Sequence, residues 1–298
     1  MPMRRRFATL DVFTRHRFAG NPLAVVQDAQ GLSDDAMQAI AREFNLSETV
    51  FVFPPADKAH RAKLRIFTPA AELPFAGHPT VGTAVLLAEG RGPESFVLEE
   101  NIGPVRCDAE RHGDEVGRAR FALPRLPKHM GDLGEASDVA AALSLTLDDL
   151  GCDDFEPGLW SAGVGFAMVP IRGLDAAERA RPDITRWEDA FGAKPTTGAF
   201  VFCRETAQPG HAFHARMFAP LMGITEDPAT GAAIAAFAGL VARTVMQTAG
   251  EQTIVIEQGF EMKRPSLITL SLTLADGALA RASIGGDAVL VSEGTIEA

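Results

Sequence analysis

Hydrophobic residues along the chain recur mostly in short, alternating runs, which are typical of β-strands. The runs are separated by Gly, Pro, Asn and Asp, the residues that favour turns. Strands are therefore predicted at Thr9–Thr14, Leu23–Gln27, Thr49–Phe53, Leu64–Thr68, Phe96–Glu99, Val105–Asp108, Ala119–Leu123, Gly165–Ile171, Ala199–Arg204 and Phe213–Phe218, followed by a meander over Thr253–Val291 with turns at Asp276–Gly277 and Gly285–Gly286. This pattern indicates a sheet-rich protein with few helices.

Two of the predicted helices are apolar on every side. They are Val81–Ala88 and the Ala-rich segment Ala229–Thr248, which is apolar all round at its start. Such helices must be buried all round, whereas a surface helix keeps a polar face. Ser33–Asn45 is predicted to be a capped surface helix, and Val139–Leu150 is also predicted to be helical. Strands wrapped around an apolar helix can bury its whole surface, so each such helix is expected at the centre of a sheet.

The chain carries an internal repeat. Arg65–Pro69 and His78–Gly82 precede the first apolar helix, and Arg216–Pro220 and Asp227–Gly231 precede the second, in the same order and about half the chain later. Two blocks in register suggest a duplicated domain. The predicted fold is α+β, with two pseudo-symmetric domains, each a curved, mostly antiparallel sheet or barrel around a central helix. The expected boundaries are residues 1–125, completed by a final strand near 287–298, and residues 126–286, with the active site in the cleft between them.

The entries of the two apolar helices are candidate binding sites. Proline suits the first helical position, so His78 and Asp227 are expected at, or one residue before, the helix starts. Gly82 and Gly231 would then lie in the first turns, where a missing side chain lets a ligand approach the free amides. Those amides and the helix dipole favour a carboxylate or an oxyanion. Ordinary capping by Asp227 and a structural role for His78 remain open alternatives.

Glu48 is the candidate acid or base, because it opens the strongly apolar strand Thr49–Phe53. A carboxyl group carried toward a core has a raised pKa, which suits proton transfer near neutral pH. A solvated glutamate at a strand end is the alternative interpretation. By contrast, His211 and His214 stand three apart in a predicted strand and are expected on opposite faces, where they cannot bind one ion together.

Composition excludes several classes of protein. The formal net charge of −11 over 298 residues argues against binding to nucleic acid or to anionic lipid. The longest apolar run, Gly231–Ala242, is short for a membrane span, and the N-terminus lacks a secretory pattern, so a cytoplasmic location is expected. Three widely spaced cysteines are predicted to be buried thiols. The sequence lacks the common zinc-protease, serine-hydrolase, phosphate-loop and dinucleotide motifs.

Together these motifs resemble the PhzF-like proteins, which are relatives of the phenazine-biosynthesis isomerase and share the diaminopimelate epimerase fold. The matching segments span nearly the whole chain: Asp11–Thr14, Phe18–Pro22, Ser47–Phe51, Arg65–Pro69, Glu72–Gly82, Glu226–Gly231 and Gln258–Gly259. The resemblance implies a homodimer and a reaction without cofactor or metal. It implies that Glu48 shuttles a proton, that His78 and Asp227 complete the catalytic set, and that backbone amides at Gly77, Gly231 and the residue after each bind substrate.

Two residues depart from the family pattern. Ala232 follows Gly231 where a serine is common, and Lys263 stands where a glycine is common. Neither helix entry has a cysteine, so the two-thiol racemase chemistry of this fold is not expected. The function predicted is a cofactor-independent isomerase that moves a proton on a small, carboxylate-bearing substrate, with cyclic amino acids as one such class. An epimerase or lyase on another amino or hydroxy acid, or a non-catalytic binder with the same pocket, remain alternatives.

Overall fold

The computed structural model of the chain describes residues 3–90, 92–113, 115–192, 196–244 and 250–298. The strands in these residues are β1 (Arg4–Val12), β2 (Asn21–Val26), β3 (Glu48–Phe53), β4 (Ala62–Phe67), β5 (Glu72–Leu73), β6 (Glu94–Glu100), β7 (Gly103–Arg111), β8 (Val116–Ala122), β9 (Lys128–Gly131), β10 (Gly158–Ser161), β11 (Gly165–Pro170), β12 (Thr196–Cys203), β13 (Phe213–Ala219), β14 (Ile224–Asp227), β15 (Gly250–Gln258), β16 (Ser266–Ala275) and β17 (Ala278–Glu297). The α-helices are α1 (Asp34–Phe44), α2 (Gly77–Leu87), α3 (Ala136–Ala142), α4 (Leu174–Arg179), α5 (Trp187–Phe191) and α6 (Gly231–Thr244). Short 3-10 helices lie at Leu147–Asp149, Ile184–Arg186 and Pro220–Met222.

The backbone divides into two compact units. The first unit comprises Met1–Pro124 and Gly285–Ala298, and the second unit comprises Arg125–Ile284. Strand β17 contributes residues to both units. The interpretation of these units as duplicated domains with an active site between them stays a prediction.

In the first unit, strand pairing is mostly antiparallel. β1 pairs with β2 and with β17, and β6, β7 and β8 form an antiparallel run. The parallel pairs are β2 with β3 and β4 with β6, while β3 with β4 and β4 with β5 are antiparallel. Helix α2 contacts β1, β2, β3, β7 and β8, and its residues from Gly77 to Val85 are all buried. The apolar sequence of α2 is therefore accounted for by burial on all sides.

In the second unit, the order of strand pairings is the same as in the first. β10 pairs antiparallel with β11, β11 parallel with β12, and β12 antiparallel with β13. β13 then pairs parallel with β15 and antiparallel with β14, and β15 pairs antiparallel with β16. Helix α6 contacts β9, β10, β11 and β16. Its Phe237 ring packs against four other phenylalanine rings, those of Phe155, Phe200, Phe202 and Phe213.

Local signals account for the surface helix α1. The Ser33 hydroxyl accepts a hydrogen bond from the Ala36 amide, and Asn45 ends the helix in a left-handed conformation with φ 51°. Both features confirm the cap and the stop predicted from the sequence. Among the described helices, none is long and apolar enough to cross a bilayer. The cytoplasmic location stays a prediction.

Several predicted boundaries are wrong. The glycines Gly285 and Gly286 form no turn, because β17 runs straight through them. A Cβ atom at Gly285 would lie 2.7 Å from Cβ of Arg120, so the glycine permits close packing of β17 on β8. Helix α3 ends at Ala142, well before Leu150, because the chain turns at Ser144 with φ 55°. The predicted end of α6 at Thr248 lies outside the described residues.

Candidate active site

Glu48 and His78 lie side by side in the first unit. Glu48 is the first residue of β3 and pairs with Leu23 of β2, while His78 is the second residue of α2. The distance from Glu48 Oε2 to His78 Nε2 is 3.3 Å, and their side chains are 14% and 5% exposed. The start of β3 and the start of α2 thus bring a nearly buried carboxyl group and a buried imidazole into contact.

The His78 ring is held in one tautomer. One ring nitrogen bonds to the backbone of Pro22, and because proline has no amide hydrogen, the Pro22 carbonyl accepts and the ring donates. Nε2 makes no such bond, so the donor is Nδ1. Burial lowers the pKa of His78 from 6.5 to about 3, although the Pro22 carbonyl opposes this shift. The imidazole is therefore neutral at neutral pH, with the lone pair of Nε2 toward Glu48.

The amino end of α2 offers free backbone donors beside this pair. Its N-cap residue, Ala76, has no side chain that could accept a hydrogen bond. The first helical bond runs from the Thr80 amide to the Ala76 carbonyl at 3.3 Å, so the amides of Gly77 and His78 precede it. Amides at a helix start favour a carboxylate or an oxyanion.

Asp227 lies in a tight turn of the second unit rather than at the start of α6. It ends β14, and α6 begins four residues later at Gly231, which corrects the expected position. The Thr230 hydroxyl donates to Asp227 Oδ2 at 2.6 Å, and Gln258 Nε2 donates to the Asp227 carbonyl at 2.8 Å. The Thr230 amide in turn donates to Gln258 Oε1 at 3.1 Å. Gln258 thus clamps the turn that carries Asp227, a role the sequence indicated only through the Gln258–Gly259 motif.

The turn after β15 contains Lys263, which stands where the resemblance implies a glycine. Gly259 has φ 76°, and a Cβ there would lie 2.6 Å from the carbonyl oxygens of both Pro228 and Arg264. Lys263 adopts φ 58°, a left-handed conformation that costs little only for glycine. The turn would therefore favour a glycine at position 263, the residue that the resemblance leads us to expect there.

Gly82 and Gly231, which were predicted to leave room for a ligand at the helix starts, occupy different positions in their helices. Gly231 is the buried first residue of α6, followed by Ala232, whereas Gly82 lies in the second turn of α2. A Cβ at Gly82 would lie 2.6 Å from Leu23 Cδ2 and 2.7 Å from Val12 Cγ2. Gly82 therefore permits close packing of α2 on β1 and β2, and the prediction that it admits a ligand is wrong.

The candidate residues divide between the two units. Glu48, Gly77 and His78 belong to the first, and Asp227, Gly231 and Ala232 belong to the second. Across the described part of the chain, no three His, Cys, Asp or Glu side chains are arranged to hold a metal ion. The three cysteines are buried free thiols, as predicted.

The prediction that His211 and His214 point apart is wrong. Nδ1 of His211 lies 2.6 Å from Glu257 Oε1, and Nδ1 of His214 lies 2.9 Å from Glu257 Oε2. His211 precedes β13, so the alternation of a strand does not apply to it. Burial lowers the pKa of His214, but Glu261 and Glu257 outweigh this effect and raise it. The cluster ties the loop before β13 to β15, the strand that ends in Gln258.

The fold is shared with an epimerase of known structure. A hydroxyproline epimerase from Agrobacterium vitis aligns with a TM-score of 0.62 over 98% of this chain and 91% of its own, at 10% identity. At that identity the likeness is one of fold alone. A phenazine biosynthesis protein of the PhzF family from Bacillus anthracis aligns more closely, with a TM-score of 0.89, 26% identity and coverage of 99% and 100%.

The sequence comparisons define the family. A family model described as phenazine biosynthesis-like protein matches residues 10–294. An uncharacterized isomerase of Mesorhizobium japonicum is 49% identical, with 98% of each chain covered. The trans-2,3-dihydro-3-hydroxyanthranilate isomerase of Pseudomonas fluorescens is 33% identical over 97% of this chain and 98% of that protein. The chain belongs to the phenazine biosynthesis-like family, and the prediction of an isomerase is confirmed.

Proposed function

We propose that the chain is a cofactor-independent isomerase in which Glu48 moves a proton between two carbons of a small, carboxylate-bearing cyclic amino acid. The observation that carries the proposal is the 3.3 Å contact between Glu48 Oε2 and the neutral, buried His78 Nε2. The substrate of the Pseudomonas fluorescens relative, trans-2,3-dihydro-3-hydroxyanthranilate, is one molecule of this class.

Glu48 acts as the carrier of the proton. Its carboxylate takes a proton from one substrate carbon and, as a carboxylic acid, returns it to another carbon, so no proton is gained or lost overall. A carboxyl group that is only 14% exposed keeps the held proton from exchanging freely with bulk water before it is returned. A single group that contacts both carbons in turn can perform the whole transfer on one face of the substrate.

His78 stabilises the intermediate state of this transfer. Because Nδ1–H is committed to Pro22, Nε2 can only accept a hydrogen bond. It therefore favours the form of Glu48 that carries the proton and orients its carboxyl group. The ring does not serve as an acid itself, since its pKa of about 3 leaves it without a second proton at neutral pH.

The helix starts and Asp227 would bind the substrate. We assign its carboxylate, or the negative charge that develops in the transition state, to the amides at Gly77, Gly231 and the residue after each. We assign its amino group to Asp227, whose Oδ2 already accepts a hydrogen bond from Thr230. Ala232 can donate its backbone amide but has no hydroxyl. This site would therefore make one side-chain hydrogen bond fewer to the substrate than a site with serine at position 232.

The test is the variant Glu48→Gln assayed with trans-2,3-dihydro-3-hydroxyanthranilate in deuterated water. Glutamine keeps the shape of the side chain but cannot carry a proton, so we expect product formation to fall by roughly 100-fold to 10,000-fold. Mass spectrometry of the product would measure how much deuterium enters, which the shielding of Glu48 should keep low in the wild type, and calorimetry with anthranilate would report binding.

The matched control is Glu43→Gln, which removes one charge from an exposed position on α1. It should keep full turnover. A folded Glu48→Gln protein that binds anthranilate and retains full turnover would contradict the proposal.

A further inference from the structure

Glu100 is a buried carboxyl group at the start of α2, outside the set of residues assigned above. It ends β6, is 6% exposed, and its Oε1 lies 2.7 Å from Oγ1 of Thr80. Thr80 is fully buried in the first turns of α2, and its Oγ1 also lies 2.7 Å from the carbonyl oxygen of Ala76. The three groups form a hydrogen-bonded chain from the end of β6 to the N-cap of α2.

The two hydrogen bonds of this network need two hydrogens, and the Thr80 hydroxyl supplies only one. A hydroxyl has a single hydrogen and can donate to one acceptor at a time. The Ala76 carbonyl has no hydrogen, so it must be the acceptor of the Thr80 hydroxyl. The second contact is then satisfied only if Glu100 is protonated and donates to Thr80 Oγ1.

The surroundings of Glu100 favour the protonated form. Across the described residues, no Lys, Arg or His forms an ion pair with Glu100, and its Oε2 is buried without a hydrogen-bond partner. Burial raises the pKa of Glu100 to about 8, and only the alternative arrangement, in which the Thr80 hydroxyl donates to an ionised Glu100, would oppose this shift.

The groups that surround Glu100 are consistent with its protonated form. From β7, the thiol of Cys107 faces Glu100, and burial together with the charges of Glu100 and Asp108 raises the pKa of that thiol. It therefore remains neutral. Along β6, Glu99 points to the opposite face of the strand and binds the Ala56 and Asp57 amides.

We propose that Glu100 is a positioning residue of the active site, whose carboxyl hydrogen bonds to Thr80 and thereby fixes the Ala76 carbonyl and the first turn of α2. That turn carries His78 and the amides of Gly77 and His78. The effect on catalysis rests on the proposed function, whereas the placement of the proton does not. Glu100 touches no substrate; it acts through Thr80 on the groups that do.

If Glu100 carries the proton, both its hydrogen bond to Thr80 and the stability of the folded state should depend on pH. When Glu100 ionises, Thr80 can satisfy only one acceptor, and either the bond to Ala76 or the bond to Glu100 is lost. The folded state also binds a proton that the unfolded chain releases near its ordinary pKa of 4.5. Its stability therefore falls as the pH rises from about 4.5 to about 8, and the loss is complete above that value.

The experiment compares the wild type with Glu100→Gln and Thr80→Val. The amide of the introduced glutamine would donate to Thr80 at every pH, whereas valine removes both hydrogen bonds of the hydroxyl. The probe is anthranilate, whose carboxylate stays ionised at neutral and alkaline pH, and binding is measured by calorimetry between about pH 6 and 9.5. We expect wild-type affinity to fall about fivefold to tenfold at alkaline pH, the glutamine variant to be flat, and the valine variant to be weak throughout.

A matched control and a second readout keep the outcomes distinct. Glu89→Gln removes a charge from a side chain that is 81% exposed and should behave as the wild type. Thermal unfolding between about pH 6 and 9 tests the proton without any ligand: the wild type should lose stability relative to Glu100→Gln.

If anthranilate does not bind but the unfolding difference is present, the proposed substrate class fails and the assignment of Glu100 stands. If the thermal stabilities of the wild type and Glu100→Gln varied with pH in the same way, the placement of the proton on Glu100 would be overturned. Flat wild-type affinity across the range would overturn the positioning role.

Discussion

At the residue scale, the environment of His78 limits what its ring can do. A buried imidazole that donates to a carbonyl and faces a carboxyl group can accept a hydrogen bond but gains a second proton only at great cost. It differs in this from an exposed histidine, which titrates near neutral pH. The pH dependence of the enzyme near pH 6.5 should therefore not come from His78.

The resistance of the buried His78 ring to protonation should lower the stability of the protein in acid. The pKa of His78 is about 3 in the folded state, against an ordinary value of 6.5, so the unfolded chain binds a proton that the folded state does not. Stability contributed by the neutral ring is present above about pH 6.5 and is lost as the pH falls toward 3. Between pH 7 and pH 4 the wild type should lose about 3 kcal/mol more than His78→Gln, as measured by urea unfolding.

The comparison for this prediction is His16→Gln, which replaces a histidine at an exposed position. It should lose as much stability in acid as the wild type does. Equal losses for the wild type and His78→Gln would show that the ring is protonated in the folded state.

The sequence identified some of these residues and not others. Glu48 and His78 were visible because each stands at the border of a strongly apolar element. Glu100 was not, since Glu99 and Glu100 look like a charged strand end. Adjacent strand residues face opposite sides, so one of the two had to point inward, but only the packing of α2 shows which. The Pro22 carbonyl that fixes the His78 tautomer is a backbone group, which leaves no trace in residue type.

At the element scale, the turn of residues 259–264 supports the turn that carries Asp227. Gly259 packs against Pro228 without a side chain, and the Arg264 amide returns to the Gly259 carbonyl at 3.0 Å. Gln258, at the end of β15, makes the hydrogen bonds between the two turns. The geometry of Asp227 therefore depends on residues about thirty positions later in the chain.

Two substitutions in this turn should have opposite effects. Gly259→Ala places a methyl group against two backbone oxygens at positive φ, and we expect a loss of at least about 2 kcal/mol in the free energy of unfolding. Lys263→Gly relieves a left-handed lysine and should raise that free energy by up to about 1 kcal/mol.

Denaturant unfolding of both variants measures these effects. A neutral Gly259→Ala would mean that the turn is free to move away from Pro228. A destabilised Lys263→Gly would mean that the lysine side chain contributes contacts that outweigh its backbone strain.

Element boundaries were predicted less well than element types. The apolar runs identified α2 and α6, but α2 begins at Gly77, four residues before Val81, because Pro79 is accommodated inside the first turn. The interpretation of His211 and His214 as residues of one strand is wrong, because β13 begins only at Phe213. Both errors arise where the chain enters an element, since periodicity is defined only inside it.

At the scale of the whole molecule, both units use the same sequence of strand pairings. An antiparallel pair is followed by a parallel, an antiparallel, a parallel and a further antiparallel pair in each unit. The internal repeat pointed to this topology, because matching blocks precede both apolar helices. The expected homodimer stays a prediction, since it depends on surfaces that sequence periodicity does not describe.

The first unit should fold only when its last strand is present. β17 pairs with β1 along Arg4–Val12, and the Met3 amide donates to the Ala298 carbonyl at 2.8 Å, so residues 3 and 298 lie side by side. A fragment with residues 285–298 joined by a short glycine linker ahead of residues 3–124 should unfold cooperatively. Residues 1–124 alone should not, because one edge of β1 is then unpaired.

Circular dichroism during thermal unfolding measures the difference between the two fragments. Cooperative unfolding of residues 1–124 alone would show that the last strand adds little to the first unit.

The division of β17 between the units has a consequence for synthesis on the ribosome. Residues 3–124 leave the ribosome before the strand that covers β1, which is translated only after the whole of Arg125–Ile284. The nascent chain must carry an open β-edge through more than half of its translation, a period in which chaperones can bind it and neighbouring chains can pair with it. Slow elongation across the codons for Arg125–Ile284 would lengthen that exposure and lower the yield of folded enzyme.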